Sequence, residues 1–549
     1  MITILSSSDC LAQFTPPDIV WNKSHGDFNY EAGYDFIIDS QNNSIYLSGI
    51  DGDIIAGGGD RDATLDQIDY TTGDFIQNIT SLGGSYVDGF NMVFKQPNGD
   101  FILVGSVRSK DGDVVGHNNT YFDPSNGWFQ DGWVVRINAQ GNIIWQLCVG
   151  TGYFDSISDA IITSDGNLMI SGLTQGSAGN INNPDNTVNA FLMKIDLNGN
   201  IINHNVFYCD DVLGIIQEDL FSALTEDNQG NIYALGNSNS TGPCNGNISP
   251  PTDGKEIFLI KTDSNLNILA QNRFGGSNVD NADDIEFKNG RLYVGGHSRS
   301  TDFDFDNPAV PIWTNSNGLA YRTFVMEIDL NLNLLTNTII PDEVSTKYDL
   351  WLSDLDVLVN GHKIFCGTTN DGPFNMGFIG LLDNTNQLLW FDKFGPNFLE
   401  DPNNTTQFFE INVANDYSVV VSGRNQIKTP GLTSTGDILY NNGDYDAWLI
   451  KFAPLVLCTP PQPPISIGDH VECEQNPLQA LIATAAVGPN EVVVWYDAPI
   501  AGNIIPSPTL NSIGSVTYYA EALDTITGCV SLTRTPVTLE ILAAPAPPV

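Results

Sequence analysis

The residues best suited to chemistry in this chain are aspartates set close together in loops. Asp302, Asp304 and Asp306 alternate in DFDFDN, and Asp111 and Asp113 flank Gly112. In an extended strand the first three would project on one face, and calcium takes several oxygen ligands from acidic loops of this kind. Neither loop has the sixth-position Gly and terminal Glu of an EF-hand, so two readings stand side by side: calcium ligands, or solvated turn residues. Asp283 and Asp284 (NADDIEF) and Asp210 and Asp211 (YCDDV) read as paired acids in comparable loops. Carboxylates are so numerous that adjacency alone selects no acid–base couple.

Other chemistries have little support. Six histidines are scattered without HxH or HExxH, and eight cysteines show no CxxC, which removes the usual zinc and thioredoxin motifs. There is no GxSxG elbow, no P-loop and no SxDxGxTW box of sialidase propellers. No catalytic residue is assigned, and the only cofactor considered is calcium. Against 65 Asp and Glu stand 21 Lys and Arg, a formal charge of −44 that repels phosphate backbones and anionic lipid. Nucleic acid is not an expected partner. No stretch has the 18 or more apolar residues of a membrane helix, so membrane insertion is not expected either. Residues 1–13 (MITILSSSDCLAQ) read as the stump of a signal peptide.

These candidate residues must be positioned by a repeat. A seven-residue apolar segment ending in glycine recurs at Gly49, Gly105, Gly172, Gly236, Gly296, Gly367 and Gly423, with spacings of 56, 67, 64, 60, 71 and 56 residues. Such periods suit a four-stranded propeller blade with one long loop, and the glycines suit places where strands approach closely. After the first six glycines comes an apolar strand, a turn rich in Asp, Asn and Gly, and another apolar strand, as in DGWVVRINAQGNIIWQ (131–146) and NAFLMKIDLNGNIINH (189–204). These predict β-hairpins. The last copy, DAWLIKFAP (446–454), lacks its second strand, whereas DIVWNKSHG (18–26) resembles NIIWQLCVG (142–150). The N-terminal segment is therefore expected to complete the seventh blade and close the ring over residues 14–454.

The pattern DGNhhhxG, loop, DAFhhKhDxNGNhhW resembles the β-propeller repeats of exported Bacteroidetes-type proteins, over roughly residues 18–453. That resemblance implies a secreted or cell-surface protein and specifies no activity.

Residues 455–465 are proline-rich and read as a linker. Residues 466–543 alternate apolar and polar positions in EVVVWYDA, SVTYYAEAL and RTPVTLEIL, as sandwich strands do. Cys473 and Cys529 bracket Trp495 in the Cys…Trp…Cys order of an immunoglobulin-like core with an inter-sheet disulfide. Cys209 and Cys244 form a second candidate pair within one repeat, and Cys366 reads as a free core thiol. The segments WYDA, TYYAEA and GCxSxxRTPV resemble immunoglobulin-like modules of large Bacteroidetes surface proteins exported by the type IX system. Residues 544–549 (APAPPV) read as the next linker.

The expected fold is thus all-β: a seven-bladed propeller closed by an N-terminal strand, then an immunoglobulin-like sandwich. The expected role is non-catalytic: a monomeric adhesion or binding protein taking an extracellular glycan, protein or surface. The alternatives are a propeller enzyme acting on extracellular polymers, marked by inward-facing carboxylates, His or Arg at equivalent strand starts, and a purely structural adhesin segment with no aromatic-lined polar pocket on either ring face.

Overall fold

The computed structural model describes residues 16–543 except 27–29, 53–60, 124–126, 185–186, 209–218, 239–254, 307–313, 316–317, 341–348, 371–374, 396–404, 427–444, 456–460, 500–501, 526–529 and 532. Two compact units divide between Pro454 and Leu455.

Seven antiparallel four-stranded sheets make the first unit. Their inner strands are Tyr30–Asp39, Gly89–Lys95, Asp155–Ile162, Asp219–Glu226, Asp280–Lys288, Leu350–Val357 and Thr405–Val413, which define blades 1 to 7. The glycine-ended segments form the second strands, and the predicted hairpins form the third and outer strands, such as Asp131–Ile137 with Ile143–Val149. Because the second and third strands are apolar on both faces, each blade buries side chains against both neighbours. Phe90, Leu103 and Trp133 of blade 2 pack with Leu65 of blade 1, and Val104 and Val134 with Ile157 and Ile170 of blade 3.

The seventh blade is closed from the other end of the chain. Ile19–His25 pairs antiparallel with Asp446–Phe452, in register from Trp21–Lys451 to His25–Ala447. The buried Trp21 donates its indole N–H to the Tyr70 carbonyl at 3.1 Å, and Trp448 donates to Asn22 Oδ1 at 2.7 Å. Without this strand, Asp446–Phe452 would be an unpaired edge.

Antiparallel order sorts the connections onto two faces. Turns from inner to second strand and from third to outer strand share one face, and they are short. Each third-to-outer turn is capped by an Asx side chain: Asp196 accepts the N–H groups of Asn198 and Asn200, and Asp263, Asp329 and Asp383 do the same in their own turns. The left-handed residue of the turn is Gly141 or Gly199 in two blades. Leu266 and Leu332 take the same conformation (φ 66° for each) in two others, with their side chains buried. The opposite face carries the long connections, including 108–130, 176–187 and 299–321.

In the second unit a four-stranded sheet runs in the order His470–Cys473, Thr535–Leu542, Gly514–Asp524, Glu491–Tyr496, its first pair parallel. Trp495 is half-buried against a core of Leu481, Ala483, Leu510, Val537, Leu539 and Ile541. Of the candidate disulfide pair, Cys473 ends the edge strand, is exposed and has no disulfide partner among the described residues. Cys529 lies outside the described residues, as do Cys209 and Cys244. Cys366 is buried and free.

Replacing Trp21 with Ala should cost about 3–5 kcal/mol, the usual range for a buried Trp, and deleting residues 1–26 should add concentration-dependent association. Urea unfolding with light scattering reads both. An N-terminal deletion as stable and monomeric as the full chain would refute closure.

Candidate functional site

One local device repeats around the ring axis. In every blade the inner strand shifts register opposite the repeat glycine: at Gly33/Phe36, Phe90/Met92, Ile157/Asp159, Phe221/Ala223, Ala282/Asp284, Leu352/Asp354 and Phe408/Glu410. The bulge pushes an inner-strand carbonyl against the second strand. A Cβ at Gly172 would overlap Ser156 O and one at Gly296 would overlap Asn281 O, and the other five glycines meet the equivalent carbonyl. A bulge also re-aims the side chains beside it. Here it turns them into a central cavity of about 650 Å³.

Five of the seven residues two places after the glycine-paired position are acidic: Asp35, Asp159, Asp284, Asp354 and Glu410, all lining the cavity. Three act between blades. Asp35 accepts the Val93 N–H at 2.8 Å, Asp159 that of Leu224 at 2.6 Å and Asp354 that of Ile411 at 2.7 Å, each donor on the next blade's inner strand. Two residues further along their strands, Asp356 accepts from Val413 at 3.0 Å, and Glu286 accepts from Val357. Burial pushes Asp35 and Asp159 up to about 7 and Asp354 to about 6, against the lowering effect of those N–H donors. Asp284 and Glu410 are held well above the carboxylate range, by burial first and by neighbouring carboxylates next. After burial, Asp354 is the neighbour that raises Glu410 most.

Sequence reading placed Asp283 and Asp284 in a loop. They stand instead on the inner strand of blade 5, with Asp284 on the channel and Asp283 Oδ2 2.7 Å from His297 Nδ1. Asp210 and Asp211 lie outside the described residues. The channel ring itself was missed, although DSISDAI (155–161) and DNADDIE (280–286) carry its signal immediately before the repeat glycine segments.

The aspartates considered for calcium are loop fasteners on the long-loop face. Asp302 and Asp304 are not on an extended strand, because Phe303–Phe305 is a 3₁₀ turn. Asp302 Oδ1 accepts the Ser277 N–H at 2.9 Å and Asp304 Oδ2 the Gly275 N–H at 3.0 Å. Blade 2 repeats the arrangement: Asp111 accepts the N–H and hydroxyl of Ser85, and Asp113 faces the Gly83 N–H at 3.5 Å. Asn180 takes the Asp304 role in blade 3, on the Gly150 N–H at 2.9 Å. Asp306 is exposed. Among the described residues no group of three or more His, Cys, Asp and Glu is placed to hold a metal ion.

The same face gathers aromatic side chains. Tyr121, Phe122 and Tyr153 are exposed (51%, 45% and 38%). Tyr121 contacts Phe129 and Tyr153 at centroid distances of 5.7 and 5.1 Å, Phe122 contacts Trp128 at 5.1 Å, and Lys110 Nζ stands 4.0 Å over Trp128. A second group, between blades 7 and 1, joins Tyr30, Tyr34, Phe409 and Tyr445 with Arg61 and Arg424. A third joins His297, Tyr321 and Trp351, with Arg299 over Tyr321 at 4.0 Å.

The channel carboxyls set a pH dependence. Their folded pKa values exceed the ordinary 3.9–4.3 of an unfolded chain, so between about pH 4 and pH 7 the fold binds more protons than the unfolded chain and loses stability as pH rises. Tm should be lower at pH 8 than at pH 5, and the gap should narrow in Asp284→Asn/Glu410→Gln. Calorimetry at both pH values checks this; an unchanged gap in the double variant would locate the effect elsewhere. Gly172→Ala should cost about 1–3 kcal/mol, as overpacking does, read from urea midpoints.

Residues 460–542 match the family model described as Ig-like domain, CHU_C associated. No curated protein matches the chain. Among solved structures, the chain is similar to the Neurospora crassa Pan2 WD40 domain, at 10% identity over 81% of this chain and 98% of that one, with TM-score 0.41. It is similar to Drosophila Semaphorin 2a at 8% identity over 97% and 99%, TM-score 0.39, and to the polysaccharide lyase Uly1 at 12% over 78% and 90%, TM-score 0.40. The seven sheets themselves carry the architecture: a seven-bladed propeller followed by an Ig-like domain.

Proposed function

We propose that this chain is a non-catalytic, exported binding protein that presents the long-loop face of its propeller to an extracellular ligand, with the Ig-like domain as a spacer. The supporting observation is the segregation of functions between the two faces. One is built of tight, Asx-capped turns; the other gathers exposed aromatic rings and hydrogen-bonding groups on long connections fastened by aspartates such as Asp111 and Asp302. Rings such as Tyr121 and Tyr153 supply contact area at low entropy cost, which is what a recognition surface needs. A purely structural segment would have no use for such a surface.

One observation favours a second reading, a hydrolase or lyase acting in the channel: five carboxylates face it, all held above the ordinary carboxylate range by burial. Three of the five are engaged with neighbouring-blade N–H groups, which accounts for them structurally.

Tyr121→Ala/Tyr153→Ala should weaken binding tenfold or more on a glycan array and on whole surfaces, while changing stability by only about 0.5 kcal/mol per exposed site. Failure of the unmodified chain to bind anything would favour the structural reading. Depolymerisation of a bound polymer that is lost in Asp354→Asn/Glu410→Gln would establish the enzyme.

A further inference from the structure

The aromatic group between blades 7 and 1 holds two cations that no carboxylate of the described residues pairs. Arg61 Cζ lies 4.1 Å over the Tyr30 ring, and its Nε is buried without a hydrogen-bond partner. Arg424 donates through Nε to Gln407 Oε1 at 2.7 Å and through Nη1 to the Tyr30 hydroxyl, and its Cζ lies 4.7 Å from the Tyr445 centroid and 5.7 Å from that of Phe409. Among the described residues no carboxylate makes an ion pair with either guanidinium. In a chain with 65 acidic and 21 basic residues, Arg136 pairs with Asp100 at 2.7 Å and Lys95 with Asp39 at 2.6 Å, whereas Arg61 and Arg424, like Arg299 over Tyr321, rest on rings.

The pair stands at the rim of the channel. Tyr34 and Phe409 line the cavity, and the Tyr34 hydroxyl hydrogen-bonds Tyr30. A planar guanidinium whose face is stacked on a ring can still offer a carboxylate those edge donors that are not already engaged. Resting on the reading of the long-loop face as the binding face, we propose that Arg61 and Arg424 form a subsite for the carboxylate of an acidic sugar, so that the ligand is a uronate-bearing glycan.

The surroundings favour a sugar over an acidic peptide. Tyr34 and Phe409, which line the cavity, offer ring surface for the apolar side of a pyranose. Beyond them, the bulge residues Asn91, Ser158, Ser222, Asp283 and Ser353 bring short polar side chains to the same cavity, a lining that suits several hydroxyl groups. The ring below is buried enough to push its own carboxyls toward the neutral form, and the same desolvation disfavours further negative charge there, so the subsite takes one carboxylate at the rim and not a run of them.

The test uses the full chain and isothermal titration with tetrasaccharides of galacturonate, mannuronate and guluronate, each beside its carboxyl-reduced counterpart. At least one uronate should bind ten times or more tighter than its reduced form, with a salt-sensitive affinity. Arg61→Gln and Arg424→Gln should each remove most of that preference without changing Tm by more than a few degrees, and Arg424→Lys should restore only part of it. Equal binding of acid and reduced forms, absence of binding to every uronate, or indifference of both variants would overturn the proposal, as would tighter binding of a Glu-rich peptide sensitive to the same variants. Ligand capture that depends on Tyr121 and Tyr153 but not on the arginines would overturn the subsite alone and leave the binding-face reading standing.

Discussion

Everything in the ring turns on the contact between an inner-strand carbonyl and a glycine of the second strand. The extra residue of the bulge forces that carbonyl toward the neighbouring backbone, and only a residue without Cβ leaves room for it. The same extra residue changes which side chains face the axis. Close approach and channel lining are therefore one event, repeated seven times, and the recurring glycine marks where each blade presents its residue to the axis.

The acidity of the chain divides into populations with opposite physics. Turn aspartates such as Asp196, Asp263 and Asp329 accept hydrogen bonds mainly from Asn residues of their own turns, which hold their carboxyls below the ordinary range. Channel carboxyls are desolvated beside one another and are held above it. Asp280 and Asp155, at the starts of inner strands, are buried and hydrogen-bonded to Ser or Thr hydroxyls and to loop N–H groups. Formal charge counts all of these alike, so an electrostatic view from composition overstates the charge inside the ring at neutral pH and says nothing of where the few cations go.

Much of the ring was legible because its repeat is local. Gly49 to Gly423 and the DxNGN turns are short-range signals, and the missing outer strand of blade 7 could be matched to Asp18–Gly26 by likeness to Asn142–Gly150. The channel was less legible. Asp159 and Asp284 look like ordinary strand or loop acids until the bulge sets their direction, and a bulge is a relation between two strands. Asp302 and Asp304 misled for the reciprocal reason: their alternation suggested a strand, while their true partners, Ser277 and Gly275, sit on the preceding connection. The Arg61–Arg424 group was invisible, because Tyr30, Arg61, Arg424 and Tyr445 come from opposite ends of the chain and share no motif.

Closure by the first strand also governs the order of assembly. Asn22 and Trp448 are 426 residues apart in sequence, so the segment synthesised first must stay unpaired until the last blade exists. The entropic cost of so long a loop grows only logarithmically; the delay is the larger matter. Throughout that interval a nearly finished ring has one vacant edge and one loose strand that fits it. A loose strand from another copy fits equally well, so folding competes with strand exchange, and crowded nascent chains are drawn toward swapped dimers that a dilute chain avoids.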